Sequence, residues 1–341
     1  MKVRQKGNNK NQYGKGQRIR KLMILSGYFL CMFFFVTGGF LVFRISGKYN
    51  LKKQTISYAM SRNAVQTSTL ILDENNIQQD GDIRYKGQNY NYNDDMLTFL
   101  FMGIDEEGKA EASEEHAKGG QADALFLFVL NPHEEVIKLI PINSSTMTAI
   151  DVYDEQGVHE GTITAQISTQ HGFGDGGKVS CEYQVEAVRK LFYGIPISGY
   201  LAVDMDSIPE VITLIDGIDP EVLEDVVGSG AGLSADSRLT RQTQLLTEFI
   251  GKVKGLTGKD FTIPVRMYHE IADGTVTNIS ADEVAYLATF AGDYYFDAGE
   301  VVMVPGKSVS GGESLSGCDE FYADEDGLYG MIVDVFYEPV G

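Results

Sequence analysis

Two aspartates and one short helical segment carry the residue types most suited to chemistry in this chain. Asp105 closes the apolar run LTFLFMGID, Leu97 to Asp105, and Asp123 stands at the mouth of another, ALFLFVL, Ala124 to Leu130. If these runs pair as antiparallel strands across the loop EEGKAEASEEHAKGGQA, both carboxylates come to one edge of the sheet. A third run, VIKLIPI, Val136 to Ile142, follows the short NPHEE turn and ends in NSST, Asn143 to Thr146, which brings hydroxyls to the same edge. Two carboxylates with hydroxyls beside them suit a hard cation such as Mg²⁺, which keeps several waters and a phosphate. A plainer arrangement, with both acids capping strand ends in water, meets the spacing on its own somewhat better.

The segment SADSRLTRQTQLLTEFIGKVK, Ser234 to Lys254, reads as a helix that begins at Ser234, Asp236 or Ser237. Arg238, Arg241 and Gln242 fall on the stripe that continues through Leu245 and Phe249. Arginines at a helix start are most often a solvated surface pair. On an inward stripe they can instead clamp a phosphate, because guanidinium forks and free backbone N–H groups then act on one anion.

Other motifs lead nowhere. GFGDGGKVS, Gly172 to Ser180, nearly spells a phosphate-binding P-loop, yet Val179 stands where the metal-binding Ser or Thr belongs and no clear apolar strand precedes it. GSGAG, Gly228 to Gly232, is a flexible turn. There is no GxSxG, HExxH or CxxC, and the five histidines make no zinc pattern, so hydrolase and zinc-enzyme chemistry rank low.

The elements that must position these groups read as an α/β layered domain with a mixed central sheet. The apolar runs are buried strands, covered on both faces. After them come a helix in KVSCEYQVEAVRKLFYG, a strand in SGYLAVD, a helix in SIPEVITLI and a strand near Val222 to Val227. The last third adds a helix near Ala281 to Phe290, a strand VVMVP and a terminal helix in DEDGLYGMIVDVFYE.

Charge is unevenly placed along the 341 residues, whose net charge is -20. Residues 1–21 hold eight Lys or Arg and no acid, whereas every one of the 48 acids lies from Leu72 onward. Between the two regions lies LMILSGYFLCMFFFVTGGFLVF, Leu22 to Phe43, long enough at about 1.5 Å per residue to cross a hydrocarbon core of about 30 Å. The expected arrangement is a basic cytoplasmic tail (1–21), a transmembrane helix (22–43), a polar juxtamembrane spacer with room for some helix (44–94) and an extracellular domain (95–341). Cys181 and Cys318 of the exported part fit a disulfide or two free thiols. The acidic surface makes nucleic acid a poor partner, and cations or a lipid-linked substrate better ones.

The order of these features resembles the LytR-CpsA-Psr family: a basic N-terminus, one membrane helix, a strand ending GID, QAD before an apolar strand, the NP turn, IPISGYLAVDMDSI after a helix, and the RLTRQ helix. TAQISTQHGFGDGG points to one branch of it, and the likeness covers about Leu97 to Lys254. It implies a membrane-anchored phosphotransferase that passes glycopolymers from a polyprenyl pyrophosphate carrier to a peptidoglycan hydroxyl. By the resemblance, Asp105 and Asp123 match the family's magnesium-linked acids, with Mg²⁺ or Mn²⁺ as cofactor, and Arg238, Arg241 and Gln242 match its pyrophosphate-contacting helix.

The chain departs from the family where charge matters most. Gln121 stands where the family has Arg, Ser144 and Ser145 stand where it has Arg-Asp, and VVGSGAGLSAD replaces an arginine-rich segment. Gln121 and Ser144 are then neutral substrate contacts beside catalytic Asp105, Asp123, Arg238 and Arg241. Phosphoryl transfer relies on neutralising charge at the transferring group, so the depletion should weaken binding and turnover. Two expectations follow, a divergent but active transferase or a non-catalytic envelope protein that binds lipid-linked polymer or wall.

Overall fold

The computed structural model describes residues 45–51, 53, 83–105, 119–205, 234–260, 262–290, 292–314 and 317–340. The apolar stretch at 22–43 and the helix and strand expected within 206–233 lie outside the described residues. So does the loop after Asp105. Among the described residues no helix is long and apolar enough to cross a membrane.

The central sheet has five strands in the order β5-β4-β3-β8-β9: β3 (Leu97–Asp105), β4 (Gln121–Asn131), β5 (Val136–Ile142), β8 (Gly199–Asp204) and β9 (Thr275–Thr277). β3, β4 and β5 are antiparallel neighbours, whereas β3 and β8 run parallel, so the sheet is mixed. Alternation along the strands divides their side chains between two layers. Leu100, Met102, Ile104, Leu125 and Leu127 face a core built with helix α1 (Lys178–Leu191) and the C-terminal helix α5 (Glu325–Phe336). Ala124, Phe126 and Leu139 face the other side, against Leu246 and Ile250 of helix α2 (Ala235–Thr257). This two-sided covering is why β4 can be apolar at nearly every position. Truncating a fully buried leucine such as Leu125 or Leu127 to alanine should cost about 2–5 kcal/mol.

Three parts of the chain differ from the sequence expectation. Residues 83–92, expected in the spacer, form a hairpin of β1 (Ile83–Tyr85) and β2 (Gln88–Tyr92), and β2 pairs with β12 (Tyr337–Pro339) at the far end of the chain. Residues 45–51, also placed in the spacer, are helical in line with a partly helical spacer, but they are docked on the domain: Leu51 packs with Phe99, Leu130 and Tyr286, and Asn50 donates to Asp282 of helix α4 (Ala281–Phe290). The expected strand VVMVP is a single bridge, Val301 to Leu139, because the segment leaves β5 after one contact and Pro305 has no N–H to continue a ladder.

Two hairpins have no counterpart in the sequence expectation. β6 (Met147–Tyr153) pairs with β7 (His159–Gln166), and β10 (Gly306–Val309) pairs with β11 (Glu320–Ala323). Helix α3 (Ile263–Glu270) was likewise not anticipated. Thr146 and Phe321 form a parallel bridge, and Phe321 N donates to Ser145 O at 2.9 Å. The second hairpin thereby reaches the sheet edge where Asp123 lies.

Candidate functional site

A bulge aims Asp123. β3 and β4 stay in register from Leu97↔Leu130 to Gly103↔Ala124, then resume at Ile104↔Ala122 and Asp105↔Gln121, leaving Asp123 as the extra residue. A bulged residue escapes strict alternation, and bulges turn side chains toward functional edges. Asp123 is half-buried, while Ala122 and Ala124 on either side are buried. The backbone of Asp105 reaches the same edge; its side chain lies outside the described residues.

A polar cavity of about 290 Å³ opens beside the bulge, with Gln121, Asp123, Ser144 and Ser145 on one wall. Gln166 and Ser168 line it from the end of β7, Arg238 from the first turns of α2, and Cys318 and Asp319 from the approach to β11. Four of the sequence candidates therefore meet in one place: Gln121, Asp123, Ser144 and Arg238. Arg241 and Gln242 are not among the lining residues. The inward stripe of α2 runs through Ala235, Leu239, Gln242 and Leu245, so Arg241 is half-buried at its border and Gln242 is buried within it.

Short polar links hold these walls together. Asn143 Nδ2 donates to Asp236 Oδ1 at 2.9 Å, and Ser308 Oγ donates to the same oxygen at 2.7 Å, which ties the end of β5 and strand β10 to the start of α2. Ser168 N donates to Ser144 O, and Ser145 N donates to Asn143 Oδ1. Arg238 Nε is buried and finds no hydrogen-bond partner among the described residues.

Two of the backbone amides at the start of α2 are taken by side chains. Ser234 Oγ accepts from Ser237 N, and Asp319 Oδ2 accepts from Ala235 N at 2.9 Å. Asp319 Oδ1 accepts from Gly311 N at 2.9 Å. The amides of Ala235 and Gly311, with the charge of Arg238, hold the Asp319 carboxyl below the usual range. Nothing in the residues around GCDEF announces this role, since the helix amide it meets lies 84 residues away in sequence.

The near-match to a P-loop is closed in a different way. Asp175 Oδ1 accepts from Gly177 N, Val179 N and Ser180 N, so the carboxylate of the loop itself caps α1. Behind it, buried His171 donates from Nδ1 to Gly120 O at 2.8 Å, with Cys181 Sγ 3.8 Å from Nε2. Burial pushes the His171 pKa down and the Cys181 thiol well up, which suits a neutral structural pair rather than a nucleophile and base. Their work is to fix Gly119–Gly120, where β4 and its bulge begin. A side chain at Gly119 would meet His171 O at 2.5 Å and Ser180 Oγ at 2.6 Å. Cys181 is buried and Cys318 exposed, and among the described residues the two do not form a disulfide.

The LytR_cpsA_psr family model matches residues 56–230, just over half of the chain. The protein belongs to the LytR-CpsA-Psr family. A polyisoprenyl-teichoic acid–peptidoglycan teichoic acid transferase, TagU of Halalkalibacterium halodurans, is 28% identical over 127 residues, 37% of this chain and 35% of that protein. TagU of Bacillus cereus is 27% identical over 123 residues, 36% of this chain and 33% of its own length. The match to these curated relatives thus spans about a third of their length. Among solved structures, TagV of Bacillus subtilis superposes with a TM-score of 0.52 at 19% identity, covering 70% of this chain and 95% of that one, which is a likeness of fold.

Proposed function

We propose that this LytR-CpsA-Psr protein is a membrane-anchored cell-envelope phosphotransferase that moves a glycopolymer from a polyprenyl pyrophosphate carrier to peptidoglycan. The observation that carries the reading is Arg238, a guanidinium on a polar cavity with a buried Nε–H that has no acceptor among the described residues. A buried donor without an acceptor costs about 1–3 kcal/mol, and a phosphate oxygen would relieve that cost. The hydroxyls of Ser144 and Ser168 and the amides of Gln121 and Gln166 surround the same space with neutral donors and acceptors.

The donor set also fits a hard divalent cation. Asp123, with Asp105 at the same strand edge, supplies carboxylate oxygen, and the serines and glutamines add more oxygen donors. Mg²⁺ or Mn²⁺ held there would neutralise charge on the transferring phosphate. Arg238 would bind and orient the pyrophosphate, and Ser144 and Gln121 would hold its oxygens without adding charge. In the transfer, a wall hydroxyl forms a new P–O bond, the bridging P–O bond breaks, and the hydroxyl proton ends on the departing lipid monophosphate.

A second reading, a non-catalytic binder of lipid-linked polymer, is favoured by the neutral Gln121 and Ser144 on the cavity wall, where the family resemblance implies arginines. Extraction of the full-length chain purified in detergent, followed by mass spectrometry, should find a polyprenyl phosphate or pyrophosphate. Labelled polymer appearing on peptidoglycan separates the transferase from the binder. If no lipid is retained and no pyrophosphate binds at millimolar Mg²⁺, the family likeness concerns the fold alone.

A further inference from the structure

Asp319 is the charged group in the cavity that the family likeness does not account for. It arrives from the β10–β11 hairpin, 84 residues beyond the amide it caps. Each carboxylate oxygen is engaged by a backbone N–H, those of Ala235 and Gly311, and the backbone carbonyl of the same residue accepts from Gln166 Nε2 at 2.6 Å. One residue thus joins three walls of the cavity: the start of α2, the turn after β10 and the end of β7.

We propose that Asp319 determines which anions the cavity accepts, acting as its resident counter-anion to Arg238 and the first turn of α2. The proposal rests on the phosphate reading of this cavity. The positive end of a helix favours one anion close by, and here a carboxylate of the chain already holds that place. Asp319 lines the cavity together with Arg238. A free phosphate therefore meets the negative charge of Asp319 at the helix start, whereas a phosphate that brings a cation is less repelled by it. Asp319 makes the cavity selective for cation-bound pyrophosphate over free anions, so that it does not fill with inorganic phosphate or sulfate.

The geometry also says what removing the charge does. Asp319→Asn keeps an oxygen for one of the two amides, and Asp319→Ser supplies a side-chain oxygen of the kind preferred at helix starts. Both remove the negative charge. Asp319 is not among the groups expected to touch the reacting phosphorus, so the effect falls on anion selection.

The test titrates inorganic pyrophosphate into the full-length chain in detergent, with EDTA present, by calorimetry. Asp319→Asn and Asp319→Ser should each bind about tenfold more tightly than the parent, as loss of a nearby like charge allows. Adding Arg238→Ala to either should return affinity to the parent level or below. Equal or weaker binding by both variants overturns the proposal, and so does loss of a cooperative melting transition in both, which would make Asp319 a structural cap only. If the parent binds pyrophosphate with Mg²⁺ but the variants gain nothing, the selectivity proposal fails while the phosphate reading stands. If neither parent nor variants bind under any condition, both fail.

Discussion

Helices α1 and α2 start alike and end up in different roles. Both begin after glycine- and serine-rich segments, and the first amides of both are met by an aspartate. At α1 that aspartate is Asp175, three residues before the helix, and its neighbours His171 and Cys181 are buried and neutral. At α2 it is Asp319, brought from another hairpin, with Arg238 and an open polar cavity beside it. The cap of α1 comes from its own loop, whereas the cap of α2 shares its place with a polar cavity, and that space is where a ligand can compete.

The sharpest way to break the comparison is Arg238→Ala. If the α2 end is the ligand-binding one, polyprenyl pyrophosphate binding should fall ten- to a hundredfold, since hydrogen bonds to charged groups contribute about 1.5–3 kcal/mol, while the melting temperature holds. Normal binding by a folded variant would place the phosphate elsewhere.

Metal should separate the two ends as well. Mg²⁺ with pyrophosphate should raise the melting temperature of the full chain, because binding to the native state alone stabilises it. Asp123→Ala should abolish that rise, and Asp175→Ala should leave it intact. A rise that survives Asp123→Ala would return Asp123 to the role of a strand-end carboxylate.

The Asp175→Ala variant should itself lose about 1–2 kcal/mol in chemical denaturation, the range for a lost helix cap, with pyrophosphate affinity unchanged. Weakened binding without loss of stability would show that the α1 end belongs to the site.

The smallest effects are in pH. His171 is held neutral by burial, so its folded pKa lies below the unfolded value near 6.5. The unfolded state then binds the extra proton first, and stability should fall as pH drops below about 6.5. Asp319 is depressed by its amide donors, so its contribution is present above the unfolded carboxyl pKa near 3.9 and is lost only as pH falls below that. Denaturation curves for His171→Asn and Asp319→Asn should each lose one of these two slopes. A single shared slope would mean that one group dominates both ends.

Much of the sheet is legible along the chain. LTFLFMGID and VIKLIPI match β3 and β5 residue for residue, because strands covered on both faces need long apolar runs with polar ends. The start of α2 at Ser234 follows from its hydroxyl cap, and α4 matches Ala281–Phe290. The hairpin β6–β7 is not legible, since its strands are largely half-exposed or exposed and mix apolar with polar residues without a clean alternation. The β1–β2 hairpin escapes notice for a similar reason: its polar strands depend on β12, which lies at the other end of the chain.

What the sequence determined by itself is local: which runs are buried strands, where a hydroxyl starts a helix, and the family, whose motifs lie in fixed order. Tertiary structure decided the rest of the site. It left Asp123 over at a bulge, turned Arg241 to the border of its stripe, and set Asp319 against the amide of Ala235. A bulge depends on how two strands register, and a remote cap depends on where a hairpin lands. Both are set by packing between segments far apart in sequence, so neither leaves a periodic mark in the residues that form it.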